Sequence, residues 1–304
     1  MRRWMEKKLL SGVAVTVIAF TLVLTGCGGN NESSSSSPSN SASTAPATAD
    51  TSPSPSAPEQ TASGTVTLAG STSVQPLAEE LGNAYMEIND GARIEVSGGG
   101  SGAGIKAAQG GTADIGMASR ALKAEETGIK PVVIATDGIA VVVNKDNAAA
   151  DLTTEQVKDI FSGKLTNWKD AGGKDANIVV INREEGSGTR DAFKELVLGE
   201  DEFVAAAIIQ NSTGAVREAV GQDPNAIGFI SFGGMNDSVK ALHINGVEPS
   251  EANIKGGTYP ISRPFNFLLH DTNAPSDIAQ AFIDFVMSAE GQAVVADNGY
   301  VTVE

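Results

Sequence analysis

Val132-Val133-Ile134-Ala135-Thr136-Asp137-Gly138-Ile139-Ala140-Val141-Val142-Val143-Asn144 is a long apolar run broken near its middle by Asp137-Gly138. An ordinary strand has roughly five or six residues, so one buried strand in one domain does not account for the run. It is expected to cross between two domains. A second such segment, Tyr259-Pro260-Ile261-Ser262-Arg263-Pro264-Phe265-Asn266-Phe267-Leu268-Leu269, lies much further along the chain. With a whole α/β unit between them, the two crossings predict a discontinuous first domain: lobe I over 64–140 and 260–304, with lobe II, 141–259, inserted. Two crossings make a hinge, and a hinge between lobes makes a cleft.

From Thr65 onward, short β-rich runs alternate with helical stretches. Thr65–Leu68, Arg93–Val96 and Asp114–Met117 are expected strands, and Val74–Ile88 and Ala103–Gln109 expected helices. Past the first crossing, Asp151 to Glu155 opens a helix capped by Thr153 or Thr154, and Gly163 ends it in left-handed backbone. Strand Ile178–Ile181, helices Asp191–Leu198 and Thr213–Val220, and strand Ile227–Ser231 follow. The last helix, Ser276–Met287, sets Ile278, Phe282, Ile283, Phe285 and Val286 at helical spacing, a core face. Alternation of this kind predicts an α/β fold with helices on both sides of a sheet. Ligands of such sheets sit beyond the carboxyl ends of strands, where helices begin.

Three stretches at such junctions are rich in donors. Arg183-Glu184-Glu185-Gly186-Ser187-Gly188-Thr189-Arg190 joins a strand to a helix, and so do Leu68-Ala69-Gly70-Ser71-Thr72-Ser73 and Gly98-Gly99-Gly100-Ser101-Gly102. Short hydroxyls and glycine amides at a helix start converge on one point, where the helix dipole also favours negative charge. Arg183 adds a planar fork of fixed charge suited to a tetrahedral oxyanion. One such turn is most often a helix cap; three of them, one carrying an arginine, point to a single anion site.

Ahead of this unit, Arg2, Arg3, Lys7 and Lys8 lead into the apolar run Leu9–Leu24, the pattern of a processing signal over 1–26. It ends in Leu24-Thr25-Gly26-Cys27, which resembles a bacterial lipobox, so that Cys27 would be lipidated. Cys27 is the chain's one cysteine, which excludes an intramolecular disulfide. The segment 27–63 holds that cysteine and a Ser/Pro/Thr/Ala-rich tether too poor in apolar residues to form a core. Beyond it, about 240 residues remain, enough for substantial cores.

The chain carries 21 Lys and Arg against 37 Asp and Glu, and 17 against 36 once the signal's four basic residues and Glu6 are removed. Such acidity argues against nucleic acid or anionic lipid as partners. It leaves a small anion possible, because a site of local donors acts within a Debye length of roughly 8 to 10 Å. Catalytic patterns are missing. Ser187 lacks the glycine two residues before it that a nucleophile elbow needs, no P-loop spacing occurs, and His243 and His270 stand in no metal spacing. Trp168 and Tyr85 are expected to pack, and hydroxyls without an adjacent base are donors rather than nucleophiles. No catalytic residue, metal or cofactor is expected.

At these residues the chain resembles the phosphate-binding proteins of the bacterial phosphate ABC transporter, within the type II periplasmic binding proteins. The likeness covers essentially Thr65–Glu304. It is carried by Ala69-Gly-Ser-Thr-Ser-Val-Gln-Pro76, Gly100-Ser-Gly-Ala-Gly-Ile-Lys106, Asp114-Ile-Gly-Met-Ala-Ser119, Asp159 to Trp168, Arg183 to Thr189, Asn225-Ala-Ile-Gly-Phe229 and Tyr259-Pro-Ile-Ser-Arg263. The resemblance implies a two-lobed fold, no enzymatic activity, and an anion held by Thr72, Ser73 and its amide, Ser101, Ser119, Arg183, Ser187, the amide of Gly188, and Thr189, with Ser71 as a possible helper. It also implies an extracytoplasmic receptor that delivers inorganic phosphate to permease subunits, attached to the membrane by its lipid anchor alone and expected to be monomeric.

One position departs from the family. Better-known members carry an aspartate where Ser119 stands, and that aspartate accepts the proton of hydrogen phosphate and repels sulfate. A serine brings no charge. Two carboxylates are candidates for a relocated acceptor: Glu185, which could instead orient Arg183, and Asp137 at the base of the cleft. Arg120 either faces solvent or braces a carboxylate. Ser119 also keeps open a receptor for another oxyanion such as sulfate or molybdate; a secreted phosphatase and an adhesive surface protein are the more distant alternatives.

Overall fold

The computed structural model describes residues 62–303, so the signal segment, Cys27 and the tether up to residue 61 lie outside the described residues. Strands Gly64–Gly70 (β1), Ala92–Gly98 (β2) and Ile115–Ala118 (β3) form a parallel ribbon with β1 in its centre. Helices Gln75–Ile88 (α1) and Ser101–Gly110 (α2) connect them. Next comes Ile129–Asn144 (β4), one uninterrupted strand. Its continuity answers the puzzle of its length: the first half pairs with Ser262–His270 (β11), the second with Ala226–Ser231 (β8) and Val239–Ala241 (β9).

Between those crossings lie Asp151–Leu152 (β5), Thr154–Ser162 (α3), Val179–Arg183 (β6), Gly188–Phe193 (α4), Ile208–Gln210 (β7), Thr213–Gln222 (α5), His243–Ile244 (β10) and Glu251–Lys255 (α6). The chain closes with Asp277–Met287 (α7) and Ala289–Asp297 (α8). A single sheet runs β2-β1-β3-β11-β4-β8-β6-β7 through the whole unit. β4 and β11, antiparallel neighbours, are its middle.

The two largest of four hydrophobic clusters flank that middle. Val66, Leu68, Leu77, Leu81, Ile115, Phe265, Phe267 and Phe282 fill one; Val141, Val157, Phe161, Trp168, Phe193, Phe229 and Tyr259 fill the other. Tyr85 packs against Phe282 and Phe285 in the first with tilted rings. Trp168 packs in the second, its indole N–H donating to the Asn225 carbonyl at 2.9 Å. Ile261 and Val301 join the second core although Tyr300 joins the first, so the C-terminal segment touches both.

Local signals place most boundaries. Thr153 caps α3 with a full capping box to Gln156, and Gly163 ends it at φ 83°. Two differences from the sequence-based expectations have clear causes. α4 begins at Gly188 rather than near Asp191, because Ser187 accepts from the Arg190 amide and turns a glycine-rich stretch into a helix start; the helix then continues as a π turn over Lys194–Leu198. α8 went unforeseen because Ser288, which ends α7, also caps the next helix through the Gly291 amide.

The handover point of β4 is Asp137-Gly138. A Cβ on Gly138 would meet the tip of the Ile254 side chain at 2.5 Å, so α6 packs closely on the strand there. Asp137 faces its register partner Arg263 on β11. Arg263 Nη2 and Nε donate to Asp137 Oδ2 at 3.0 and 3.3 Å, and Ser231 Oγ donates to Oδ1 at 2.9 Å. Both side chains are buried. Burial pushes the Asp137 carboxyl up and the Arg263 guanidinium down, while their mutual attraction opposes both shifts.

Removing one partner of a buried pair leaves an uncompensated charge at a cost of about 3–5 kcal/mol. Arg263→Met should therefore destabilise the fold by about that amount in urea denaturation, and adding Asp137→Asn should recover part of the loss. If the two changes simply add, within ~0.5 kcal/mol, the pair does not hold the crossing strands together.

Candidate functional site

The three donor-rich turns meet. β1, β2 and β6 run in parallel pairs toward them, so Thr72 and Ser73, Ser101, and Ser187 to Thr189 each follow the carboxyl end of a strand. Ser119 follows β3 in the same way. Ser73, Ser101, Ser119, Arg183, Ser187 and Thr189 are all buried.

Contacts bridge the two halves of the molecule. Arg183 Nη2 donates to Thr72 Oγ1 at 3.2 Å. Ser73 Oγ lies 2.9 Å from Thr189 Oγ1 and 2.7 Å from Thr213 Oγ1. Ser101 Oγ accepts from the Ser119 amide at 3.1 Å and lies 3.3 Å from Ser119 Oγ. The Gly102 amide donates to the Gly186 carbonyl at 2.9 Å, a glycine-to-glycine backbone contact across the cleft. Gly188 sits tightest. A Cβ there would fall 2.2 Å from Ser101 Oγ and 2.8 Å from Ser119 Oγ, so the approach of α4 to the opposite lobe requires glycine.

Arg120 braces carboxylates rather than facing solvent. It grips Glu126 with both terminal nitrogens at 2.7 Å, and its Nε reaches Asp191 on α4 at 3.0 Å; Lys123 joins Asp191 at 3.1 Å. These contacts form an ion-pair clasp beside the cleft. Asp191 and Glu126 together hold the Arg120 charge firmly.

Glu185 does not take either role expected for it. Its side chain is 90% exposed and pairs with Arg190 at 3.3 Å. The Ser187 amide donates to the Glu184 carbonyl, closing a tight turn with Gly186 at φ 87°. Glu185 occupies the corner of that turn, which projects outward. Glu184 orients the arginine instead: Arg183 Nε and Nη2 donate to its two carboxylate oxygens at 2.8 and 2.9 Å. Asp137 lies beneath the cluster, committed to Arg263 and Ser231. The Ser73 amide also departs from expectation. It donates to Ser71 Oγ at 3.2 Å, so Ser71 shapes the turn from within.

Sequence reasoning left two residues out of the cluster. Arg263 Nη1 donates both to Thr189 Oγ1 and to the Ser119 carbonyl at 2.8 Å, placing a second guanidinium against the site. Arg183 Nη1 donates to Thr213 Oγ1 at 3.4 Å, and the Thr213 amide donates to Thr72 Oγ1 at 3.3 Å. Signals for both were present. Opposite charges sit near the middle of the two apolar crossings, and Asn211-Ser212-Thr213-Gly214 is a fourth hydroxyl-rich turn before a helix. His243 and His270 stay outside the cluster; His270 Nδ1 accepts the Thr272 and Asn273 amides in its own turn.

The assembly offers two guanidiniums, hydroxyls from both lobes and the Gly188 and Thr189 amides at the start of α4, the Arg190 amide being taken by Ser187 Oγ. It can dehydrate and hold a small tetrahedral anion; no general base is poised against a nucleophile.

Comparison with known proteins agrees with this chemistry. The PBP superfamily domain matches residues 55–290. The phosphate-binding protein PstS of Bacillus subtilis is 36% identical over 252 residues, covering 81% of this chain and 83% of the relative. A Clostridium perfringens substrate-binding protein assigned to a phosphate ABC transporter, crystallised with bound phosphate, is 43% identical, with a TM-score of 0.77 over 79% of this chain and 100% of its own. An ABC-type phosphate transport receptor from Vibrio cholerae is 36% identical, with a TM-score of 0.65 over 78% of this chain and 99% of its own. The chain belongs to the PstS family of phosphate-binding proteins, within the PBP superfamily.

Proposed function

We propose that the protein is an extracytoplasmic receptor that captures inorganic phosphate between two lobes and delivers it to the permease subunits of an ABC transporter. The observation that carries this reading is the convergence of Arg183, Ser73, Ser101, Ser119 and Thr189, all buried, with the half-buried Thr72, drawn from both lobes into one cluster. Phosphate would be held by those side chains with Ser187 and the Gly188 amide, while Glu184, Arg263 and Thr213 position them. Lobe I, 64–140 and 260–304, and lobe II, 141–259, close about β4 and β11. Cys27 carries a lipid anchor, supported by the Leu24-Thr25-Gly26-Cys27 pattern, and the tether holds the receptor off the membrane.

Affinity comes from many charge-assisted hydrogen bonds in a dehydrated cleft, each worth about 1.5–3 kcal/mol. Protein stripped of bound phosphate should give a saturable heat on titration with phosphate in the micromolar range or below; no heat sinks the reading. Arg183→Met should weaken binding at least about tenfold by the same scale, and unchanged affinity would show the site is elsewhere.

The Arg120–Asp191–Lys123 clasp makes a separate kinetic prediction. It forms only when the lobes meet, so Asp191→Asn should speed phosphate release about 2- to 5-fold, the worth of a partly exposed ion pair. Stopped-flow release measures this, and an effect confined to the association rate would contradict a role in holding the closed state.

A further inference from the structure

The chain passes between the two halves of the molecule a third time, at its C-terminal end. Val301 exchanges both backbone hydrogen bonds with Thr136, the residue before Asp137 on β4, at 2.8 and 3.0 Å. Its side chain enters the second core, while the ring of Tyr300 stays in the first, tilted against Phe265 of β11 with centroids 5.4 Å apart. Gln292 of α8 ties this segment down. Its Oε1 accepts from the Val303 amide at 3.1 Å, and its Nε2 donates to the Ile134 carbonyl at 3.2 Å. Tyr300 is 2% exposed, and a rigid ring so enclosed has little room to retreat.

The tip of that ring meets the turn that follows β8, Ser231-Phe232-Gly233-Gly234. Each residue of the turn holds a different neighbour. Ser231 Oγ donates to Asp137, and Phe232 packs on the second core. A Cβ on Gly233 would overlap the tyrosine tip, falling 2.5 Å from its hydroxyl oxygen. A Cβ on Gly234 would lie 3.1 Å from the Thr213 methyl, and Arg217 of α5 donates to the Gly234 carbonyl. Thr213 Oγ1 in turn lies 2.7 Å from Ser73 Oγ across the cleft. One short turn therefore connects the C-terminal tyrosine to hydroxyls of the anion cluster.

We propose that Tyr300 and Gly233 form the stop against which the two lobes close, and that this contact, outside the anion cluster, is a further determinant of phosphate affinity. Tyr300 belongs to lobe I and Gly233 to lobe II, so the contact is made only while the lobes are together. Gly233 carries no side chain to offer a ligand; its part is to let the ring come down onto the backbone. Crowding at this point raises the energy of the closed form and spares the open one. A ligand that binds the closed form is weakened by the same factor. The loss falls on release rather than capture, because encounter precedes closure.

This inference rests on the phosphate-receptor reading, and the test separates their failures. Gly233→Ala, Tyr300→Leu and the double variant are stripped of phosphate and compared with wild type by phosphate calorimetry, stopped-flow release and urea denaturation without ligand. Gly233→Ala should bind phosphate about 5- to 100-fold more weakly, the range set by overpacking a close contact. Its release should be faster, its association rate within about twofold of wild type, and its urea midpoint close to wild type. The double variant, in which leucine shortens the reach of the ring, should bind more tightly than Gly233→Ala alone. A glycine of purely structural importance would lower the urea midpoint and leave release unchanged, and that result overturns the proposal. So does a loss of affinity that Tyr300→Leu does not relieve. If Gly233→Ala does not fold, Tyr300→Leu alone decides: an altered release rate supports the stop, and an unchanged one overturns it. Wild type that binds no phosphate overturns both readings.

Discussion

The buried pair of Asp137 and Arg263 is the constraint around which this molecule is arranged. Each residue lies on one of the two strands that pass between the lobes, and the two are register partners. Charges so deeply buried are tolerated only when paired and hydrogen-bonded, and here every remaining contact does further work. Asp137 takes in Ser231 from one side of the crossing; Arg263 reaches on to the Ser119 carbonyl in one lobe and Thr189 in the other. The interaction that pins the two strands thus also fixes the floor of the site.

The same logic governs Arg183. Its guanidinium is almost wholly buried, and Glu184, the adjacent residue, holds it from behind. Each arginine has a dedicated carboxylate, so neither positive charge needs the ligand in order to be tolerated, and neither carboxylate is left to repel it. A strongly acidic chain can hold an anion because charge at the site is decided over a few ångströms, inside the screening length of about 8–10 Å. Net charge and local potential are separate quantities in this protein.

The sequence discloses the fold through its crossings. Length alone marked Val132–Asn144 as spanning two bodies, and the single strand β4 with different partners in its two halves is the physical form of that excess. A single hydroxyl- and glycine-rich turn before a helix is ordinarily a cap, and the site was legible because three of them recur at strand-to-helix junctions, one beside an arginine. Side-chain direction was not. Glu184 and Glu185 are adjacent and chemically alike, and which of them meets Arg183 depends on a tight turn whose corner exposes one side chain. Arg263 was hidden for a related reason. Its role emerges only from cross-strand register, which pairs it with a residue more than a hundred positions away.

Two kinds of group share the labour of recognition. Arginines backed by carboxylates are fixed in place, and they set the direction of the hydroxyls that they touch. Thr72, Thr189 and Thr213 accept from an arginine, Ser101 and Ser187 accept from a backbone amide, and Ser73 and Ser119 have only hydroxyl neighbours. A larger side chain at Ser119 would press on the start of α4, because Gly188 already lies so close that a Cβ there would fall 2.8 Å from the Ser119 hydroxyl.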